Sequence, residues 1–231
     1  MKIYGLNKTT LLDYPGHVAA TVFTGGCNFR CPYCHNSTLV TGTLAEPVIT
    51  EDEFFAFLKK RRGILQGVCI TGGEPTLQKG LIEFIEEIKK IGYLVKLDTN
   101  GYRPDVLWNL LNRDLIDYIA MDIKGSRENY GKVTGVEEID LSRLEESIGM
   151  ITSNKIPYEF RTTLAKGLHT KDDVLQMAKW IAGCKNYYLQ SYRFDENVMT
   201  PIFAPFLMEE MEEFREIARK YIDKVVVRGV E

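Results

Sequence analysis

The chain has 231 residues, 45% of them hydrophobic and 26% charged, with a formal net charge of −3 at pH 7. That is an ordinary balance for a globular protein, and a domain of this length buries roughly 70% of the surface its unfolded chain exposes. No apolar run nears the ~20 residues of a membrane-spanning helix, Met1–Pro15 lacks the apolar stretch of a secretory signal, and the slight negative charge offers nucleic acid no broad attracting field. The expectation is one domain, 1–231, in the cytoplasm, with neither a membrane nor nucleic acid as partner.

From His17 onward, short β-branched runs alternate with amphipathic stretches, the signature of repeated βα units. The first predicted strand is Val18–Thr24, followed by a helix over Glu51–Lys60 that a Thr50/Glu53 capping box opens. The second strand, Val68–Thr71, precedes a helix with an apolar stripe of Leu81, Ile82, Phe84, Ile85, Ile88 and Ile91, stopped by Gly92. Tyr93–Asp98 and Tyr118–Asp122 are the third and fourth strands, with a helix at Pro104–Asn112 between them. A helix over Leu141–Asn154 leads to the strand Tyr158–Thr163, and one over Lys171–Ala182 to Tyr187–Gln190. A stripe from Leu207 to Tyr221 marks a last helix, with a short run at Val225–Val227 behind it. Six units are too few for the usual eight-stranded closed barrel. They point to an α/β fold, an open partial (βα)6 barrel of parallel strands with helices outside.

In such folds the loops at the C-terminal ends of the strands carry the chemistry. Each predicted strand ends in an unusual short string: Gly25-Gly26-Cys27, Thr71-Gly72-Gly73-Glu74-Pro75, Asp98-Thr99-Asn100-Gly101, Asp122-Ile123-Lys124, Arg161-Thr162-Thr163 and Gln190-Ser191. Gly, Asp and Asn also mark plain turns, but six such strings on one rim argue for a site. Arg161, charged within a strand pattern, needs an acidic partner, either a ligand carboxylate or a structural salt bridge. His17 and His169 have no special context and read as structural; Cys69 reads as a core thiol, and Cys184 has no evident partner.

Three of the five cysteines, Cys27, Cys31 and Cys34, lie within eight residues. Thiolates are the preferred ligands of iron–sulfur clusters, and a four-iron cubane normally takes four of them. Three would leave one iron open to a substrate, as catalytic zinc sites keep a free position. Other readings exist for the same residues. Cys31-Pro32-Tyr33-Cys34-His35 matches a c-type haem attachment site, although Cys27 is then unexplained. Three cysteines with His35 suit zinc in a binding module, and Cys31 with Cys34 suits a dithiol.

Cys27-x3-Cys31-x2-Cys34, with Tyr33 before the last cysteine, resembles the signature of the radical S-adenosylmethionine (radical SAM) superfamily, and Gly72-Gly73-Glu74-Pro75 extends the likeness. Within the superfamily the chain is most similar to glycyl-radical-enzyme activases. Thr9-Thr10-Leu11-Leu12-Asp13-Tyr14-Pro15-Gly16 and Cys34-His35-Asn36 resemble the activating proteins of anaerobic ribonucleotide reductase. The resemblance implies an oxidoreductase that carries one 4Fe-4S cluster on Cys27, Cys31 and Cys34 and cleaves S-adenosyl-L-methionine reductively. The resulting 5′-deoxyadenosyl radical would generate a glycyl radical on a partner, anaerobic ribonucleotide reductase being favoured over pyruvate formate-lyase or a small-molecule substrate. It also implies a low-potential electron donor such as flavodoxin or ferredoxin.

The same resemblance implies cofactor-binding roles along the rim. Tyr33, with Cys34 and His35 beside it, would lie near the adenine. Gly72 and Gly73 would let backbone approach the methionine amino group while Glu74 fixes their loop. Asp98, Thr99 and Asn100, with Asp122 and Ile123, look like hydroxyl- and cation-handling positions, a monovalent cation being a further candidate cofactor. Here Met121 directly precedes Asp122, whereas the activases place one residue between them, so the cation site departs from the pattern. Lys124 would pair with the methionine carboxylate, Arg161 with a ligand carboxylate or a structural acidic partner, and Gln190 would meet the adenine.

Overall fold

The structure is a computed structural model that describes residues 1–41, 46–195 and 198–229. Its strands are β1 (Gly5–Thr10), β2 (Ala19–Thr24), β3 (Gly67–Gly72), β4 (Leu94–Thr99), β5 (Tyr118–Asp122), β6 (Tyr158–Leu164), β7 (Tyr187–Ser191) and β8 (Val225–Arg228). The helices are α1 (Ser37–Thr41), α2 (Glu51–Lys60), α3 (Leu81–Ile91), α4 (Pro104–Asn112), α5 (Tyr130–Thr134), α6 (Leu141–Ser153), α7 (Lys171–Trp180) and α8 (Met208–Ala218). The strands follow one another in chain order in one mostly parallel, open sheet. This is the expected open α/β architecture with two more strands than the expected six. One is the short run at Val225, which completes β8 and pairs parallel with β7. The other is β1, antiparallel to β2. Its sequence, Gly-Leu-Asn-Lys-Thr-Thr, carries no apolar alternation, because it is a half-exposed edge with a register shift between Asn7 and Thr10.

Contacts divide the chain into two compact units. The first holds residues 1–28, 38–120 and 153–157. Its core strands β2, β3 and β4 run parallel, so Cys69 stands beside Lys96 and Val68 beside Val95. Val68, Cys69, Ile70, Val95 and Leu97 are fully buried, as strands covered on both faces must be. α2 starts, and α3 stops, on a local signal. Thr50 Oγ1 accepts from Glu53 N at 3.2 Å while a Glu53 carboxylate oxygen accepts from Thr50 N at 2.9 Å. Gly92, at φ +101°, ends α3. The stacked rings of Phe54 and Phe84, 5.4 Å apart, pack the two helices together.

The second unit holds residues 29–37, 121–152 and 158–231. In it β6, β7 and β8 run parallel. Thr170 caps α7 with Asp173, whose other carboxylate oxygen accepts from Ser126 Oγ at 2.5 Å and Asn129 Nδ2 at 2.6 Å. A capping residue thereby also ties down the loop after β5. Among the described residues no helix is long and apolar enough to cross a membrane.

Candidate active site

In the first unit the rim strings form one network around a carboxylate. Glu74 is 1% exposed, and burial pushes its pKa up against four opposing hydrogen bonds. It accepts from Thr76 N (3.1 Å), Thr76 Oγ1 (2.5 Å), Thr99 Oγ1 (2.8 Å) and Asn100 N (2.7 Å). Glu74 thus clamps the loop after β3 to the end of β4. Asn100 carries the chain of bonds onward: Nδ2 lies 2.8 Å from Asn28 Oδ1 and 3.9 Å from Cys27 Sγ. Backbone closes the same corner, with Gly73 N donating to Thr24 O (2.9 Å) and Glu74 N to Gly26 O (2.8 Å).

That closeness explains the two glycines. Gly72 has φ +116°, and a Cβ there would lie 2.3 Å from Thr24 N; a Cβ on Gly73 would lie 2.0 Å from Gly26 O. The loop after β3 therefore rests directly on the loop that leads to Cys27. Asp98, 14% exposed at the end of β4, is paired with Lys96, which is 2% exposed. Sequence reasoning passes over Lys96, since a single lysine in a strand pattern carries no local signal of burial.

The second unit holds the other rim residues. Cys31 is buried and Cys34 half-buried, Cys34 N donating to Cys31 O at 3.0 Å. Tyr33 between them is 4% exposed, its ring edge-on to His169 at 5.9 Å and its Oη without a hydrogen-bond partner among the described residues. His169 is structural as expected: Nδ1 accepts from Ala165 N (3.1 Å), Nε2 lies 2.9 Å from Lys124 O, and burial lowers its pKa.

Asp122 is the hub of this unit. Lys124 Nζ and Arg161 Nε reach its two oxygens, each at 2.9 Å. Arg161 thus has its acidic partner inside the protein, and it sits in the middle of β6 rather than at the strand's end. Ile123 contributes backbone: its N donates to Arg161 O (2.8 Å) and its O accepts from Thr162 Oγ1 (2.7 Å), while its side chain is fully buried. Gln190 lines a cavity of about 490 Å³ together with His35, Thr163, Ser191, Arg193 and Arg228. His35 Nε2 lies 2.6 Å from Arg193 O.

Burial alone would raise the Asp122 pKa, but Arg161 and then Lys124 outweigh it and hold the carboxyl at about 2, below its ordinary 3.8. A depressed carboxyl contributes stability that is present above pH 3.8 and lost as pH falls through about 2. From that shift, Asp122→Asn is expected to cost about 2 kcal/mol at pH 7. Urea midpoints of the two proteins should converge as pH drops below 4; a gap that stays constant down to pH 2 would contradict this assignment.

The rim residues thus fall into two sets, Cys27 with Glu74, Thr99 and Asn100, and Tyr33 with Asp122, Lys124 and Arg161. The family model of the radical SAM superfamily matches residues 21–181, which include both. The chain belongs to the radical SAM superfamily. Membership implies a 4Fe-4S cluster and S-adenosylmethionine as cofactors. This radical SAM enzyme is 32% identical, over 99% of its length and 96% of the relative's, to a Methanocaldococcus jannaschii protein provisionally named a glycyl-radical enzyme activating enzyme. A provisionally named GTP 3′,8-cyclase of Saccharolobus islandicus is 27% identical over 87% of the chain but only 63% of its own length. Among solved structures, Streptococcus suis SuiB bound to the precursor peptide SuiA superposes with a TM-score of 0.72 at 11% identity. It covers 90% of this chain and 48% of SuiB, a likeness of fold.

Proposed function

We propose that this radical SAM enzyme activates a glycyl radical enzyme, generating the radical on a backbone glycine of a separate protein. The observation that carries the proposal is the identity running along 99% of the chain to a relative of that name. Cys27, Cys31 and Cys34 would hold the cluster, and the donor set fits it: three thiols within eight residues, none in a disulfide, and beside the last of them a buried Tyr33 hydroxyl without a hydrogen-bond partner among the described residues. Bound there, a 4Fe-4S cluster supplies the electron that cleaves S-adenosylmethionine to methionine and a 5′-deoxyadenosyl radical.

The protein's own part is placement. Three thiolates for a four-iron cluster would leave one iron without a protein ligand, free to take the methionine amino and carboxylate groups. The Glu74 clamp fixes the loop of Gly72 and Gly73, whose backbone would approach those groups. Lys124, already oriented by Asp122, would present a fixed positive charge to the carboxylate. Gln190, in the cavity wall, can both donate to and accept from adenine. Asp98 and Thr99 would hold the ribose hydroxyls.

The finer reading is anaerobic ribonucleotide reductase as partner, in the cytoplasm, with flavodoxin or ferredoxin as electron donor. Its support is the likeness of Thr9–Gly16 and Cys34–Asn36 to that group of activases. The likeness to GTP cyclases supports a second reading, a small-molecule radical enzyme, although this chain spans only 63% of that relative. Anaerobic mixing of reduced enzyme, S-adenosylmethionine and each candidate partner is expected to give the doublet spin-resonance signal of a glycyl radical with ribonucleotide reductase. A signal with formate-lyase alone would change the partner and keep the activase class. Turnover of GTP with no glycyl signal would overturn the class itself.

A further inference from the structure

Lys96 lies in the middle of β4, where it is 2% exposed between the fully buried Val95 and Leu97. A buried ammonium must be paired, and successive odd and even positions of a strand face opposite sides, so Lys96 and Asp98 share a face. Their side chains form a salt bridge. Lys96 Nζ also lies 3.7 Å from Cys69 Sγ, its register neighbour on β3, and 6.0 Å from the centroid of the Tyr118 ring. Cys69 is a fully buried thiol and the ring face is only weakly attractive to cations, so Asp98 is the charge partner that the described surroundings of Lys96 provide.

The pair is arranged in depth: Lys96 is sealed behind, and Asp98 is the more exposed of the two at the end of the strand. Buried ion pairs are weak contributors to stability, because apolar residues of similar volume serve a core as well. The pair's value therefore lies in what Asp98 does at the rim. Resting on the reading of Asp98 as an S-adenosylmethionine contact, we infer that Lys96 is a positioning residue whose ammonium is the built-in counterion of Asp98, so that cofactor binding here needs no monovalent metal cation. A metal cation seated on Asp98 would face a fixed positive charge on the same carboxylate. Asp122, within its own unit, is likewise already neutralised by Lys124 and Arg161. Both carboxylates that could ligate such a cation thus carry protein ammonium or guanidinium partners.

The test measures S-adenosylmethionine affinity of the anaerobically reconstituted protein by equilibrium dialysis. Sodium, potassium or the bulky tetramethylammonium serves as sole monovalent cation at equal ionic strength. The change that S-adenosylmethionine makes in the reduced cluster's spin-resonance spectrum is recorded alongside. Wild type is expected to bind equally in all three salts. Lys96→Met, which removes the Lys96 ammonium from Asp98, should bind about tenfold or more weakly in tetramethylammonium and recover most of the loss in potassium or sodium. Lys96→Met/Asp98→Asn, with no unpaired buried charge, should bind weakly in every salt. Wild-type binding that itself depends on sodium or potassium would overturn the inference without recourse to any variant. So would a folded Lys96→Met that binds like wild type in all salts. Asp98→Asn separates the two levels: if it binds like wild type, the placement of Asp98 at the cofactor is wrong; if it weakens binding while Lys96→Met does not, only the role of Lys96 falls.

Discussion

Replacing any one of Cys27, Cys31 and Cys34 by Ala is expected to abolish the 4Fe-4S cluster, taking iron and sulfide from about four of each per chain to near none. With three protein thiolates as ligands one iron would already be open, so losing another would leave two irons without protein ligands. The controls are the two remaining cysteines. Cys69 is fully buried in β3, and Cys184 is 2% exposed with its thiol pushed up to about 12 by burial, so neither is poised to act as a ligand. Cys69→Ala and Cys184→Ala should retain full iron and sulfide. Metal and sulfide analysis of protein purified without oxygen reads the result, with circular dichroism to establish that each variant is folded. One zinc per chain with no sulfide in the wild type would sink the cluster assignment and favour a zinc-stabilised module.

Gly73→Val should come next in effect, for a reason that differs from the one its sequence suggests. A glycine near a cofactor invites the view that backbone must approach the ligand. In the fold, Gly73 is needed by the protein itself: a Cβ would sit 2.0 Å from Gly26 O and 2.7 Å from Gly26 C, both rigid backbone. The valine must push apart the loops after β2 and β3, breaking the Glu74 N to Gly26 O bond and displacing the segment that leads to Cys27. Overpacking of this kind costs about 3 kcal/mol, a fall of roughly 6–12 °C in the melting temperature for a chain of this size. Cluster content and S-adenosylmethionine binding should fall together. Gly149→Ala is the matched control: it lies in α6 with nothing within 4 Å of the added carbon, so a neutral or slightly stabilising change is expected. If Gly73→Val melted and bound like wild type, the contact between the two loops would not exist in solution.

Much of this protein is legible residue by residue. The capping box at Thr50 and Glu53, the Pro at the start of α4 and the Gly92 stop each mark a helix boundary, because helix ends are decided by hydrogen bonds within a few residues. Strands β2 to β7 are marked by β-branched runs because a parallel sheet covered on both faces must be apolar along its length. The cysteine spacing is local in the same sense, since one short loop is to wrap one cluster. β1 escapes notice because an edge strand has only one partner and no buried face to impose a pattern.

What the sequence by itself determined, then, is the α/β class, the order of elements, the cysteine triad and the six strings at the strand ends. Tertiary structure alone decided which of those residues answer one another. Arg161 and Asp122 are 39 residues apart and Glu74 and Asn100 are 26 apart, pairings that exist only because neighbouring strands set the register. Lys96 and Asp98 are only two residues apart, yet even their pairing has meaning only once β4 is buried on both sides. A charge pair on an exposed strand would be solvated and worth little. The physical reason is the same in each case: local pattern follows from backbone hydrogen bonding and side-chain periodicity, whereas the strength and partner of a charge follow from burial, which the chain acquires only when distant segments close over it.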